Sequence, residues 1–114
     1  MTWTTQPRSE IAGLAAISAG SGSWVLLIHG VGLQAEAWNS QITALAPHYH
    51  VVAVDMPGHG QSPVPAQPMT LAGYTDAIVQ TLDTPALVIG HSMGAMIALD
   101  MALHHPSRVM ASPH

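Results

Sequence analysis

Cysteine is absent from this 114-residue chain, and basic residues nearly so, Arg8 and Arg108 being the only two. The first absence excludes disulfides and thiolate metal sites and leaves a cytoplasmic location as the plain expectation. The second, with a formal net charge of −4, removes the electrostatic footprint that nucleic acid or an anionic membrane surface requires. Charged residues total 7%, against roughly 25% in ordinary soluble proteins. With 48% hydrophobic residues beside so little charge, part of the surface is expected to need covering. Long apolar runs are also missing; none approaches the roughly 18 residues of a membrane span. Ile11 to Ala19, behind Arg8, is too short and too diluted with Ala and Gly for a signal-peptide core, and Glu10 precedes it.

What is present alternates in period. Trp24 to Ile28, Val51 to Val54 and Ala86 to Ile89 are apolar without alternation, as parallel strands covered on both faces should be. Between the first two, Trp38, Ile42 and Leu45 mark one helical face that ends before Pro47. Between the second and third, Leu71, Tyr74, Ile78 and Leu82 repeat that spacing, with Thr70 as N-cap and Pro85 as stop. Met93 to Leu103 is apolar almost all round and ends before Pro106, which predicts a helix buried on more than one side. Ile11 to Ser18, then Gly20-Ser21-Gly22-Ser23, reads as a weak strand and turn leading into the first strong strand. The pattern predicts a single α/β domain with a mostly parallel sheet and crossover helices, and Pro57 to Pro68 as its one long loop, placed to border a pocket.

In such a sheet, ligands bind at the carboxyl ends of the strands. Three loops leave at that edge: His29-Gly30-Val31-Gly32, the stretch from Asp55 through Gly58, His59 and Gly60 to Ser62, and Gly90-His91-Ser92-Met93-Gly94. A GxSxG string is common by chance, so its context matters. Here an apolar strand precedes it and an apolar helix follows, as a serine nucleophile elbow requires, and Gly90 and Gly94 supply the minimal side chains of its strained turn. Acyl transfer also needs donors for a developing oxyanion. The Met93 N–H at the helix start and the Val31 N–H, between Gly30 and Gly32, are the candidates.

These three blocks together resemble the α/β-hydrolase superfamily, over roughly Ile11 to Val109, in its order and spacing. His29 to Trp38 is further similar to small carboxylesterases of the pimeloyl-ester type and to enol-lactonases. The resemblance implies Ser92 as nucleophile, Val31 and Met93 as the oxyanion hole, and a structural turn for the Asp55, Gly58 and Gly60 block. It implies a small acyl substrate and no cofactor or metal. Related dehalogenases and epoxide hydrolases commonly use Asp as nucleophile, which Ser92 disfavours.

Family members continue with further strands, often a helical cap, a later acid and a late histidine, so residues 1–114 read as one incomplete domain, the N-terminal part of the fold. Local substitutes for the base are poor. His29 is expected to pack beneath the oxyanion loop, His91 to point away, and His59 to leave a strand two spacings, about 10 Å, from the elbow. His48 and His50 form only a two-ligand pair, and His104 and His105 suit a helix C-terminus. His114 lacks a preceding acid. The first expectation is therefore a serine hydrolase of esters or lactones whose base lies elsewhere. The second is a non-catalytic truncated fragment or interaction module, prone to self-association through the exposed edge of the elbow strand.

Overall fold

The structure, a computed structural model, describes residues 8–110, so His114 lies outside the described residues. Five strands form one sheet: β1 (Arg8–Ile11), β2 (Leu14–Ala19), β3 (Trp24–Ile28), β4 (His50–Val54) and β5 (Ala86–Gly90), in the spatial order β1-β2-β4-β3-β5. The predicted parallel unit β4-β3-β5 is its heart, with Val25 beside both Val51 and Leu87. The sheet as a whole is mixed, because β1 and β2 add to it antiparallel.

The segment read as one weak strand is in fact a hairpin. Ala12 and Gly13 both take positive φ, 50° and 85°, which is the backbone a two-residue hairpin turn demands. β2 then buries Leu14, Ala16, Ile17 and Ala19 against the rest of the sheet.

Alternate residues of the central strands face opposite sides. Val25, Leu27, Val51 and Ala53 pack on Ala35 and Ile42, from a 3₁₀ turn (Ala35–Trp38) and helix α1 (Asn39–Leu45). Leu26, Ile28, Val52 and Val54 pack on Ile78, Ile97 and Met101, from α2 (Leu71–Val79) and α3 (Met93–His104). Each fully buried Val, Leu, Ile or Met side chain among these contributes roughly 1.5–3 kcal/mol. The unbroken apolar reading of these strands is thus the signature of helices on both faces.

Thr70 caps α2 as expected, its Oγ1 accepting the Gly73 N–H at 3.1 Å. The helix stops at Val79, well ahead of Pro85, in a turn where the Thr81 hydroxyl donates to the Ile78 carbonyl at 2.7 Å. The prediction for α3 needs a larger correction. Only one side is covered: Ile97 and Met101 are buried, while Met96, Leu99 and Leu103 stand 59%, 63% and 67% exposed. Among the described residues, nothing packs on that outer face. β5 is likewise an edge over most of its length, and Ile89 is exposed. Among the described residues the chain returns to it at its start, with Val109 bridging Ala86 in parallel and Met110 N–H donating to the Ala86 carbonyl at 2.8 Å.

Candidate active site

All three loops singled out in the sequence emerge at the same end of the parallel strands. β5 passes into α3 through an abrupt turn at Ser92, whose φ of 57° and ψ of −119° are unusual for a residue with a side chain. Holding such a residue costs about 1–3 kcal/mol. The turn is compact enough to need glycine on both sides: a Cβ on Gly90 would overlap the Gly94 carbonyl, and one on Gly94 would overlap the Ile28 carbonyl. His91 N–H donates to that same Ile28 carbonyl at 3.0 Å, locking the turn to β3. Ser92 occupies the N-cap of α3, yet its hydroxyl caps nothing, and the residue is exposed. A serine at this position ordinarily spends its oxygen on the next turn. Here the oxygen is left free.

The loop after β3 runs directly beside the elbow. A Cβ placed on Gly30 would lie 3.2 Å from the Ser92 Cβ, so this loop passes as close as glycine allows. Val31 and Gly32 form the middle of a turn closed by Leu33 N–H donating to the Gly30 carbonyl at 3.1 Å, with Gly32 at φ 80°. Neither Val31 N–H nor Met93 N–H has a hydrogen-bond partner among the described residues. Met93 is the first residue of α3, where the helix leaves its N–H groups unsatisfied and its dipole is positive.

His29 lies beneath this loop and is buried. Its Nε2 accepts the Met56 N–H at 3.0 Å, so Nδ1 carries the proton and donates to the Gly30 carbonyl at 2.7 Å. Burial chiefly pushes its pKa down; the Gly30 carbonyl and Asp55 oppose this, and nearby His59 adds to it. With both nitrogens engaged, His29 has no lone pair to offer Ser92.

Asp55 is also fully buried, at the head of the next loop. One carboxylate oxygen accepts Ala35 N–H at 2.7 Å; the other accepts Gln61 N–H at 2.8 Å and the Arg8 guanidinium at 2.6 Å. Ser62 closes the loop by donating its hydroxyl to the Asp55 carbonyl at 2.7 Å. Gly58 and Gly60 both turn with positive φ, and a Cβ on Gly60 would strike the Asp55 carboxylate. The guanidinium also grips Glu36, with Nε 2.8 Å from Oε2 and a second contact from Nη2. Sequence reasoning passed over Arg8 and Glu36. The available signal was a carboxylate ending an otherwise apolar strand in a chain with two basic residues, since a buried Asp calls for a partner.

His50, His59, His104 and His105 are engaged away from Ser92. His59 Nδ1 sits 3.1 Å from the Pro57 carbonyl, and its ring lies 5.3 Å from that of His29. His50 packs on Trp24 and contacts the Gly20 carbonyl, while His104 and His105 pair with Asp100 and Asp76 at the foot of α3 and α2. His91 lines a cleft of about 240 Å³ on the α1 side, with His29, Leu33, Trp38 and Gln41. A larger open cleft of about 560 Å³, lined by Gly32, Leu33, Gln34, Asn39 and Gly60, touches the loop but not Ser92. No described residue hydrogen-bonds the Ser92 hydroxyl. No group of three metal-ligating side chains occurs among the described residues, and no described helix is long and apolar enough to cross a membrane.

Residues 23–111 match the family of the alpha/beta hydrolase fold. The chain belongs to that family. Among curated alpha/beta hydrolase relatives, it is 43% identical over 94 residues to (E)-2-((N-methylformamido)methylene)succinate hydrolase of Acinetobacter baylyi, covering 79% of this chain and 36% of that protein. It is 40% identical over 85 residues to a pimeloyl-[acyl-carrier protein] methyl ester esterase of Neisseria meningitidis, covering 75% and 27% respectively. Among solved structures, an N-acyl homoserine lactone degrading enzyme superposes with a TM-score of 0.80 at 32% identity, over 90% of this chain and 42% of that one. The chain thus spans about a third of the length of the curated relatives it matches.

Proposed function

We propose that this chain carries the nucleophile and oxyanion hole of a serine hydrolase acting on a carboxylic ester, a lactone or a similar small acyl substrate. The observation that carries the reading is Ser92 itself: strained, exposed, at a strand-to-helix turn, with a hydroxyl that caps nothing and a glycine loop against it. Its relatives' names, a succinate-derivative hydrolase, a methyl ester esterase and a lactone degrading enzyme, support the reading.

In this mechanism the Ser92 oxygen adds to the acyl carbon as a base takes its proton. The carbonyl oxygen becomes an oxyanion that receives the Val31 and Met93 N–H groups, both free of other partners among the described residues. The carbon–oxygen bond to the leaving group breaks as the base returns the proton to it, and water then hydrolyses the Ser92 ester. These steps balance with no cofactor or metal. The base and its orienting acid are assigned to the whole protein beyond these residues, in keeping with the third of its relatives' length that the chain spans. Cytoplasmic residence belongs to the same reading.

Turnover of p-nitrophenyl acetate by the whole protein tests it. Ser92→Ala is expected to lower kcat by about 10⁴-fold or more; a variant within tenfold of the wild type would refute the assignment. A second reading, an interaction module, rests on the exposed Met96, Leu99 and Leu103 face and the open edge of β5. It expects residues 1–114 alone to lack esterase activity and to self-associate with rising concentration in sedimentation. A monomer at every concentration would contradict it.

A further inference from the structure

The five residues around Val31, 30–34, are tied down at both ends to two consecutive residues of another strand end. At the front, His29 bridges the Gly30 carbonyl (2.7 Å) to the Met56 N–H (3.0 Å). At the back, Ala35 N–H, itself fully buried, is held by the Asp55 carboxylate at 2.7 Å. The remaining Asp55 oxygen is held by Arg8, and Arg8 also holds Glu36, one residue past Ala35. Arg8 belongs to β1, the outermost strand of the sheet and the one most remote from β5 in strand order.

From this geometry we infer that Arg8 and Asp55 are positioning residues for the oxyanion hole, setting the placement of Val31 N–H opposite Ser92. The inference rests on the hydrolase reading and deepens it. Asp55 acts through Ala35 and cannot reach the acyl group, because its oxygens are filled by Ala35, Gln61 and Arg8. Arg8 acts one step further out. Its planar fork satisfies two carboxylates at once, and a lysine would supply charge without that geometry. Burial opposes the Arg8 charge, but the hydrogen bonds and charges of Glu36 and Asp55 prevail and hold the guanidinium firmly protonated. Donor placement is exacting: loss of one oxyanion donor costs about 10²–10³ in kcat, and ångström-scale misplacement a comparable factor.

The test compares Arg8→Met, Arg8→Lys and Asp55→Asn in the whole protein, with p-nitrophenyl acetate as substrate and Thr70→Ala as a variant that weakens α2 away from the loop. Arg8→Met and Asp55→Asn are expected to lower kcat about tenfold or more with KM within about threefold, and Arg8→Lys to fall between them and the wild type. Thr70→Ala should leave kcat unchanged below its melting range. Amide hydrogen exchange across residues 30–34 should accelerate in Arg8→Met but not in Thr70→Ala. Folded Arg8→Met with kcat within twofold of the wild type and unchanged exchange would overturn the inference. If Asp55→Asn does not fold, Arg8→Met decides, since Asp55 keeps two backbone donors there. A wild type without Ser92-dependent turnover sinks the hydrolase reading and the catalytic role together, while loop exchange reports on the clamp alone.

Discussion

Acidification should weaken this fold through His29. In the folded chain both ring nitrogens are engaged, Nδ1–H with the Gly30 carbonyl and Nε2 with the Met56 N–H, so a second proton would set donor against donor in a buried site. The folded pKa therefore lies below the ordinary 6.5, to which unfolding returns it. The sign follows directly. Above 6.5 both states are neutral at this residue and its hydrogen bonds stabilise the fold undiminished; as pH falls through 6.5 toward the folded pKa, the unfolded chain takes up the proton first and stability declines. Between pH 7.5 and 5.5 the loss from this group is at most about 1.4 kcal/mol, the free energy of protonating a group of pKa 6.5 in the unfolded state alone. Urea denaturation at the two pH values reads it. His29→Asn should itself cost about 1–3 kcal/mol at pH 7.5, through the unsatisfied Met56 N–H, and should narrow the gap between the two pH values by no more than about 1.4 kcal/mol. An acid loss in His29→Asn equal to that of the wild type would refute the reasoning.

Two further substitutions probe local geometry. Gly90→Ala forces a methyl group into the Gly94 backbone, which cannot swing aside as a side chain can, and should cost about 3 kcal/mol or more by thermal or urea unfolding. A loss below 1 kcal/mol would mean that the turn has slack. Thr70→Ala deletes the N-cap hydrogen bond to Gly73 and should cost about 1 kcal/mol in the same assay, with no effect if the cap is replaced by water.

The parallel half of the fold was legible in the sequence because β3, β4 and β5 are apolar on both faces and each ends at a loop rich in glycine or histidine. The sharp turn at Ser92 was legible for the same reason, since it is a local device: two glycines, a strand before and a helix after. What escaped was non-local or concealed. The β1–β2 hairpin turns on Ala12 at positive φ, a residue that carries no turn signal, and β1 itself reads Arg-Ser-Glu-Ile, with little apolar character. The Arg8–Asp55 pair joins residues 47 apart in sequence, and no periodicity announces such a contact. The all-round apolar pattern of α3 was read as burial, whereas the described residues cover only its Ile97 and Met101 side. An apolar pattern records what a helix is suited to meet, and the outer face of α3 has no such partner among the described residues.

The central claim is that Ser92 is the nucleophile, and a covalent label tests it most directly. Treating the whole protein with a fluorophosphonate and mapping the adduct by peptide mass spectrometry should place a single modification on Ser92, absent from Ser92→Ala and from protein unfolded before treatment. An unmodified Ser92 in folded protein that hydrolyses p-nitrophenyl acetate, or an adduct on any other residue that accounts for the lost activity, would contradict the account.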